Sequence, residues 1–487
     1  MQTRIQRLPL LAVAIISLII AMWSGLIRIG WQMSIPHDDF LLMHGPLMVC
    51  GFLGTLIIVE RSVALTMFLS EKTRYLPYVG AILTALGASM LIVGIKDSPA
   101  PLFITFGSLG LVLIFVFILS KHTTSYTIVM ALGAVSWFFG NLVWLAGEPF
   151  AAAVPWWMGF LTFTIAGERL ELSRMANVPK YAHQLFVGVI LVILTGLVLT
   201  RINPDAGGIR VLGLGHLLMA IWLLRYDIAR KTIKKDGLPR FVAACLLSGY
   251  VWLIVSGLIA LEAGNVTAGV KYDAMLHTLF LGFSFSMIFG HAPIIFPAIL
   301  DLQITFHKGF YAHLILLHFS LALRVSGDLL LWDQGRRWGG LLNVAVIIIF
   351  LVSTVQAIII ALDKPALTRK AIIGAIPIHI LLGSSILMAI GSDLTTESIP
   401  VPPPFRSTCT TCHGPEAEGI AGLGKTLIDN DFINSMDDTE LRQFILTGRP
   451  VWDEANTTNV DMPPKGGNPA LSDEDIEIII EFLRSIQ

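Results

Sequence analysis

Cys409-Thr410-Thr411-Cys412-His413 places two thiols and an imidazole within one short run. Thiols at this spacing add to the two vinyl groups of a single haem, and the adjacent histidine is then placed as the proximal ligand of its iron. A redox pair or half of a zinc site is the competing reading of Cys-x-x-Cys. Further on, Met462-Pro463-Pro464 offers a thioether as the distal ligand, which raises the reduction potential of the iron. With His413 and Met462 on the two axial positions no coordination site stays open, so this segment is expected to carry electrons rather than bind a substrate.

The residues around these groups belong to a recognisable pattern. Gly414-Pro415 follows the motif, and Leu471-Ser472-Asp473-Glu474-Asp475-Ile476 opens a final helix running to Ile486. Ser472 suits the N-cap, and three acidic residues sit in the electropositive first turn. Together with Met462-Pro463-Pro464 this arrangement resembles class I cytochromes c, which implies one covalent haem c in a small all-α domain over residues 405–487.

A second set of groups with redox chemistry lies in apolar surroundings. Of the twelve histidines, His44, His183, His216, His277, His291, His307, His313, His318 and His379 fall in or at the ends of apolar stretches. At about 1.5 Å of rise per residue, His44, His216, His277 and His318 lie roughly 6–14 Å below one membrane surface, with His379 deeper. Neutral imidazoles converging at one depth suit haem iron or copper, because they ligate either without burying negative charge. His291 follows His277 on the same helix face about 21 Å away, a separation that also suits two haems stacked across a membrane. Arg336 and Arg337, beside Trp338, offer bidentate cations for haem propionates at the surface; an ordinary interfacial belt is the alternative. Cys50 and Cys245 read as packing residues.

The elements that must position these groups are membrane spans. The chain of 487 residues is 55% apolar and 14% charged, whereas soluble domains carry roughly 25% charged residues. Mean hydropathy is +0.75. This excludes an ordinary soluble enzyme, and a net charge of −1 with scattered basic residues gives no footing for nucleic acid. Thirteen apolar stretches, at roughly 8–28, 40–62, 75–95, 101–120, 125–146, 153–167, 181–200, 208–228, 241–262, 272–298, 309–327, 338–362 and 371–391, are each read as a span. The first lacks a small-residue cleavage site and is read as retained. The expected architecture is therefore all-α: a polytopic bundle of 12–13 spans over 1–391, a Pro-rich linker over 392–404, and the haem-bearing domain. The basic cluster Arg225, Arg230, Lys231, Lys234, Lys235 and Arg240 puts that loop and the N-terminus in the cytoplasm. An odd number of spans then delivers the haem domain to the periplasmic side of a bacterial inner membrane, where covalent haem attachment takes place.

His44-Gly45-Pro46-Leu47-Met48-Val49, Gly249-Tyr250-Val251-Trp252-Leu253, Leu276-His277-Thr278-Leu279 and Gly290-His291 resemble segments of NnrS-type membrane proteins. The resemblance covers most of residues 1–362. It implies a twelve-helix haem- and copper-containing bundle linked to nitric oxide metabolism and distantly similar to haem-copper oxidases, with His44 and His277 at its most characteristic positions. The chain departs from that pattern in its thirteenth span, its fused haem domain and the Gly290-His291-Ala292-Pro293 sequence. It also lacks the adjacent His-His pair and the His-Pro-Glu-Val-Tyr stretch of true haem-copper oxidases. Glu60, Glu168, Asp227, Glu262, Asp273, Asp301 and Asp328 fall near span ends, which argues against proton pumping.

The leading expectation is a cytochrome c-linked oxidoreductase, nitric oxide reductase-like or oxidase-like. It takes electrons from a soluble periplasmic partner through haem c to a membrane haem b, with or without copper, and reduces a small molecule such as nitric oxide or O₂. The alternatives are an electron-transfer subunit working with quinol and other respiratory-complex subunits, or a metal or haem transporter or sensor.

Overall fold

The computed structural model describes residues 7–66, 68–95, 99–176, 178–203, 207–300, 306–361, 400–458 and 460–487. The expected thirteenth span, with His379, and most of the linker lie outside them.

Apolar runs become helices because in lipid every backbone N–H and C=O must find its partner within the segment. Twelve helices follow one another: α1 (Leu8–Arg28), α2 (Asp39–Thr66), α3 (Tyr78–Val93), α4 (Ala100–Lys121), α5 (Ser125–Leu145), α6 (Phe150–Ser173), α7 (Lys180–Ile202), α8 (Gly208–Tyr226), α9 (Leu238–Ala263), α10 (Gly269–Ile295), α11 (Phe310–Leu329) and α12 (Asp333–Ala361). Eleven of these, among the described residues, are long and apolar enough to cross a membrane; α3 is the shorter one. The sixth span, expected over 153–167, extends over the whole of α6, with Pro155 inside it. The basic run after α8 proves to be a turn containing the short helix Ala229–Thr232.

Two of the helices are irregular at matching places. In α2 the residues Leu47–Gly54, and in α10 the residues Thr278–Phe285, are wound as π-helix. Each stretch begins just after a histidine, His44 or His277. π-Segments are rare and concentrate at functional sites.

The C-terminal domain comprises α13 (Pro403–Thr408), α14 (Thr410–His413), α15 (Asp431–Asn434), α16 (Asp438–Thr447) and α17 (Asp473–Ser485). Pro403 and Pro404, expected to close the linker, instead form the first turn of α13, where a missing N–H costs nothing. Phe405, Leu441, Ile476, Ile479 and Phe482 fill the core, and the rings of Phe405 and Phe482 meet edge to face at 4.8 Å. The Ser472 hydroxyl accepts from the Asp475 N–H at 3.1 Å, and the Asp475 carboxylate accepts from the Ser472 N–H at 2.9 Å. This reciprocal cap starts α17 where the sequence placed it.

The domain is seated on the bundle. Ile420 and Leu423 bury themselves against Ile27, Phe40 and Leu41, with Cys412 and Val460 at the margin. The Thr267 N–H donates to the Gly467 carbonyl at 2.9 Å, tying the loop before α10 to the domain.

Candidate redox site

In the C-terminal domain a cavity of about 650 Å³ is lined by Cys409, Cys412, His413 and Met462, together with apolar residues such as Phe444 and Ile479. The His413 Nδ1–H donates to the Lys425 carbonyl at 2.8 Å, which fixes the ring and leaves Nε2 as the acceptor of a residue that lines the cavity. Gly424 makes that approach feasible: a Cβ there would lie 2.4 Å from the Cys412 carbonyl oxygen and 3.2 Å from His413 Nδ1. Met462 is held by a reciprocal backbone pair with Arg449, at 2.8 and 2.9 Å. Burial pushes the Cys409 thiol up to about 12 and raises that of Cys412. It also lowers the His413 pKa, the bond to Lys425 opposing it, so the imidazole is neutral at pH 7 and free to ligate a metal. Two thiols, an imidazole, a thioether and a mostly apolar cavity make a donor set that fits covalent haem.

In the bundle, the structure brings His44 and His277 together, their ring centroids 6.1 Å apart. The His44 Nδ1–H donates to the Ala21 carbonyl at 2.7 Å, and the His277 Nδ1–H to the Asp273 carbonyl at 2.8 Å. Both Nε2 atoms are thus left as acceptors. Gly25 of α1 opens the space for His44: a Cβ there would sit 2.8 Å from its Nδ1 and Cε1. Behind His277, the Asp273 carboxylate accepts a bidentate pair of bonds from Arg324, both at 3.0 Å, and its Oδ1 lies 3.3 Å from His277 Nδ1.

The other histidines have different surroundings, and among the described residues no three His, Cys, Asp or Glu side chains are grouped to hold a metal ion. His216 is fully buried with Nε2 3.3 Å from the Thr162 hydroxyl. His318 accepts from the Trp252 indole at 2.9 Å through Nδ1, which leaves the proton of a neutral ring on Nε2. His291 donates from Nδ1 to the Met287 carbonyl at 2.7 Å, and its Nε2 faces Arg169 at 3.5 Å. Arg169 is itself clamped by Asp227 at 2.7 and 3.0 Å, and Tyr250 donates to the same carboxylate at 3.1 Å. His313 lies among Phe241, Phe289, Phe310 and Phe350. The four histidines expected at one depth therefore reduce to one pair.

Of the two arginines expected at propionates, Arg337 stacks on Trp31 at 5.1 Å and donates to the Gly30 carbonyl at 3.2 Å. Arg336 is buried 3.9 Å from Asp333. Arg28, which sequence reasoning missed, donates to the Leu41 carbonyl at 3.1 Å and lies within electrostatic reach of both His44 and Cys412. Its only sequence signal is its place at the end of α1. Cys50 packs as expected but is also hydrogen-bonded, accepting from Trp137 at 3.3 Å and lying 3.4 Å from Asn141 Oδ1.

Two family profiles match the chain. One, described as a domain of unknown function, DUF8744, covers residues 7–359. The other, described as cytochrome C oxidase, cbb3-type, subunit III, covers residues 404–483, which makes this segment a cytochrome c domain and implies haem c. No curated protein matches the chain.

Proposed function

From the premise that this chain belongs to the DUF8744 family and carries a cytochrome c domain, we propose that it transfers electrons between a soluble redox partner and a centre held in the membrane by His44 and His277. In this reading Cys409 and Cys412 would anchor haem c, and His413 and Met462, which line the same cavity, would ligate its iron. The observation that carries the proposal is the seating of the Cys412 side of the domain on Phe40 and Leu41, directly ahead of His44 in the chain. Haem, when bound at these places, supplies one-electron redox chemistry at a potential set by its axial ligands.

The protein's own residues do the rest. The carbonyls of Ala21 and Asp273 orient the two imidazoles, and Arg324 holds the Asp273 carboxylate, with both rings half-buried between the helices. Arg28 lies where a cation compensates negative charge at either centre. Tethering and docking keep the two centres at a fixed approach, so transfer between them does not wait on diffusion. A metal held by both imidazoles would have two of its coordination positions filled by the protein, which supports an electron relay over reduction of nitric oxide or O₂ at this place. The NnrS-type resemblance around His44 and His277 supports their reading as ligands.

The sidedness follows from the charge pattern. The loop with Arg225, Arg230, Lys231, Lys234 and Lys235 lies at the end of the bundle away from the cytochrome domain, since the far end of α9 leads to Thr267, which bonds Gly467. By the positive-inside rule the cytochrome domain is then extracytoplasmic.

Stopped-flow reduction of the purified full chain by a reduced soluble cytochrome tests the proposal. Two optical phases are expected, haem c first, with only the first surviving in His277→Ala. A single haem c phase in the wild-type protein contradicts the proposal.

A further inference from the structure

The charge of the chain is divided unevenly. Residues 401–487 hold fifteen Asp and Glu against six Lys and Arg, a net −9, whereas the 400 residues before them are net +8. A small domain with that excess draws cationic proteins to itself and speeds their arrival.

One face of the domain joins this charge to an apolar centre. Trp452 is 83% exposed, and Val451 and Phe432 stand exposed as well. Trp452 sits in the turn over residues 450–456, whose far end, Ala455 and Asn456, lines the cavity that Met462 also lines. The turn is tied down. The Val451 N–H donates to the Asp461 carboxylate at 2.7 Å, and the Asn456 amide donates to the Arg449, Pro450 and Val460 carbonyls at 3.3, 3.1 and 2.8 Å. Arg449, at its root, lies over the Phe432 and Phe444 rings at 4.6 and 4.8 Å and pairs backbone to backbone with Met462. A rigid mount of this kind lowers the entropic cost to whatever covers the indole.

The surroundings of Trp452 are acidic. Asp453 and Glu454 follow it in the turn, and Asp429, Asp431 and Asp461 line the cavity. Among the described residues the cations on that lining are Lys425, Lys465 and Arg449. Lys465 donates to the Leu471 carbonyl at 2.7 Å and Arg449 lies 3.8 Å from Asp453, while Lys425 is exposed. Exposed aromatics rimmed by polar groups mark contact surfaces, and tryptophan is the residue most enriched at their centres. A lipid surface is the poorer match: helices that lie on one carry Lys and Arg, and anionic headgroups repel Asp453 and Glu454.

We propose that Trp452 is the centre of a docking face for a soluble redox protein of positive net charge, whose lysines meet Asp453, Glu454 and Asp431 while an apolar patch beside its own redox centre covers the indole. That the partner is a redox protein rests on the electron-transfer reading; the face itself rests on exposure and charge.

Binding to the oxidised, haem-loaded full chain in detergent tests the face without any electron flow. The probes are a lysine-rich and an acidic soluble cytochrome c, both oxidised. The lysine-rich probe is expected to bind, and to lose affinity as salt shortens the Debye length from about 30 Å to about 8 Å. Trp452→Ala is expected to weaken it roughly thirtyfold, as loss of a central tryptophan does. Glu454→Lys is expected to slow association severalfold with dissociation little changed. A haem c spectrum and Tm like the wild type's keep both variants interpretable. In phosphatidylglycerol nanodiscs, hydroxyl-radical labelling of Trp452 is expected to be strong, and to fall only when the lysine-rich probe is added. Equal binding of the two probes, wild-type binding by Trp452→Ala, or protection of Trp452 by lipid alone overturns the proposal. Reduction of haem c by both probes alike, unaffected by Trp452→Ala, overturns the face and leaves electron transfer standing. Salt-sensitive binding that Trp452→Ala weakens, with no reduction of haem c by the reduced probe, supports the face and contradicts electron transfer.

Discussion

Replacing Ile420 by alanine separates docking of the cytochrome domain from its folding. Ile420 is 7% exposed, yet it packs with Ile27, Phe40, Leu41 and Leu423 rather than in the domain core of Phe405, Ile476 and Phe482. The substitution removes three carbons from this interface. At about 0.8 kcal/mol per buried CH₂, docking loses about 2–2.5 kcal/mol. That is a fall of roughly 30–60-fold in the ratio of seated to lifted domain. Hydrogen–deuterium exchange on the detergent-purified chain reads this ratio directly. Peptides covering residues 36–43 are expected to exchange 30–60-fold faster through domain lifting, while those covering α17 keep their wild-type rates. Faster exchange in α17 would mean that Ile420 supports the fold of the domain. Unchanged exchange over residues 36–43 would refute the seating of the cytochrome domain on the loop that leads to His44.

Three more outcomes follow from single contacts. Ser472→Ala removes the N-cap of α17 and is expected to cost about 1 kcal/mol, seen as a Tm of the cytochrome domain lower by about 4–8 °C. Gly424→Ala forces a Cβ to within 2.4 Å of the Cys412 carbonyl oxygen. Overpacking of this kind costs about 1–3 kcal/mol, so both Tm and the fraction of chain carrying covalent haem are expected to fall. Asp273→Asn takes the carboxylate from the partly buried Arg324 pair, a loss of about 1–3 kcal/mol. It also frees His277 from its carboxylate neighbour, and thermal melting together with the spectrum of the membrane centre is expected to report both effects.

Much of this was legible in the sequence because it is local. Cys409, Cys412 and His413 declare their chemistry within five residues, and Ser472 with Asp475 declares a helix start within four. The spans were legible because burial in lipid demands long apolar runs. What was not legible depends on residues far apart in the chain. His44 and His277 pair only once α2 and α10 are packed, so nine histidines with similar surroundings could not be ranked by spacing. Gly25 reads as one more small residue in an apolar run, and only the position of the His44 ring reveals its purpose. Asp273 and Arg324 look like charges at span ends, and Asp227 likewise; Arg324 and Asp227 are buried and Asp273 half-buried because each has its partner on another helix. The docking patch escaped notice because Phe40, Leu41 and Ile420 are unremarkable at a membrane border. The π-helical stretches after both histidines leave no compositional trace.

The central claim is that His44 and His277 hold a redox centre next to haem c. Haem and metal content of the purified full chain, by pyridine haemochrome spectra with iron and copper analysis, tests it most directly when His44→Ala and His277→Ala are measured alongside. One haem c plus a second iron or copper centre in the wild type, with that second centre lost in both variants and haem c kept, is the predicted result. Haem c alone, with the same metal content in all three proteins, contradicts it.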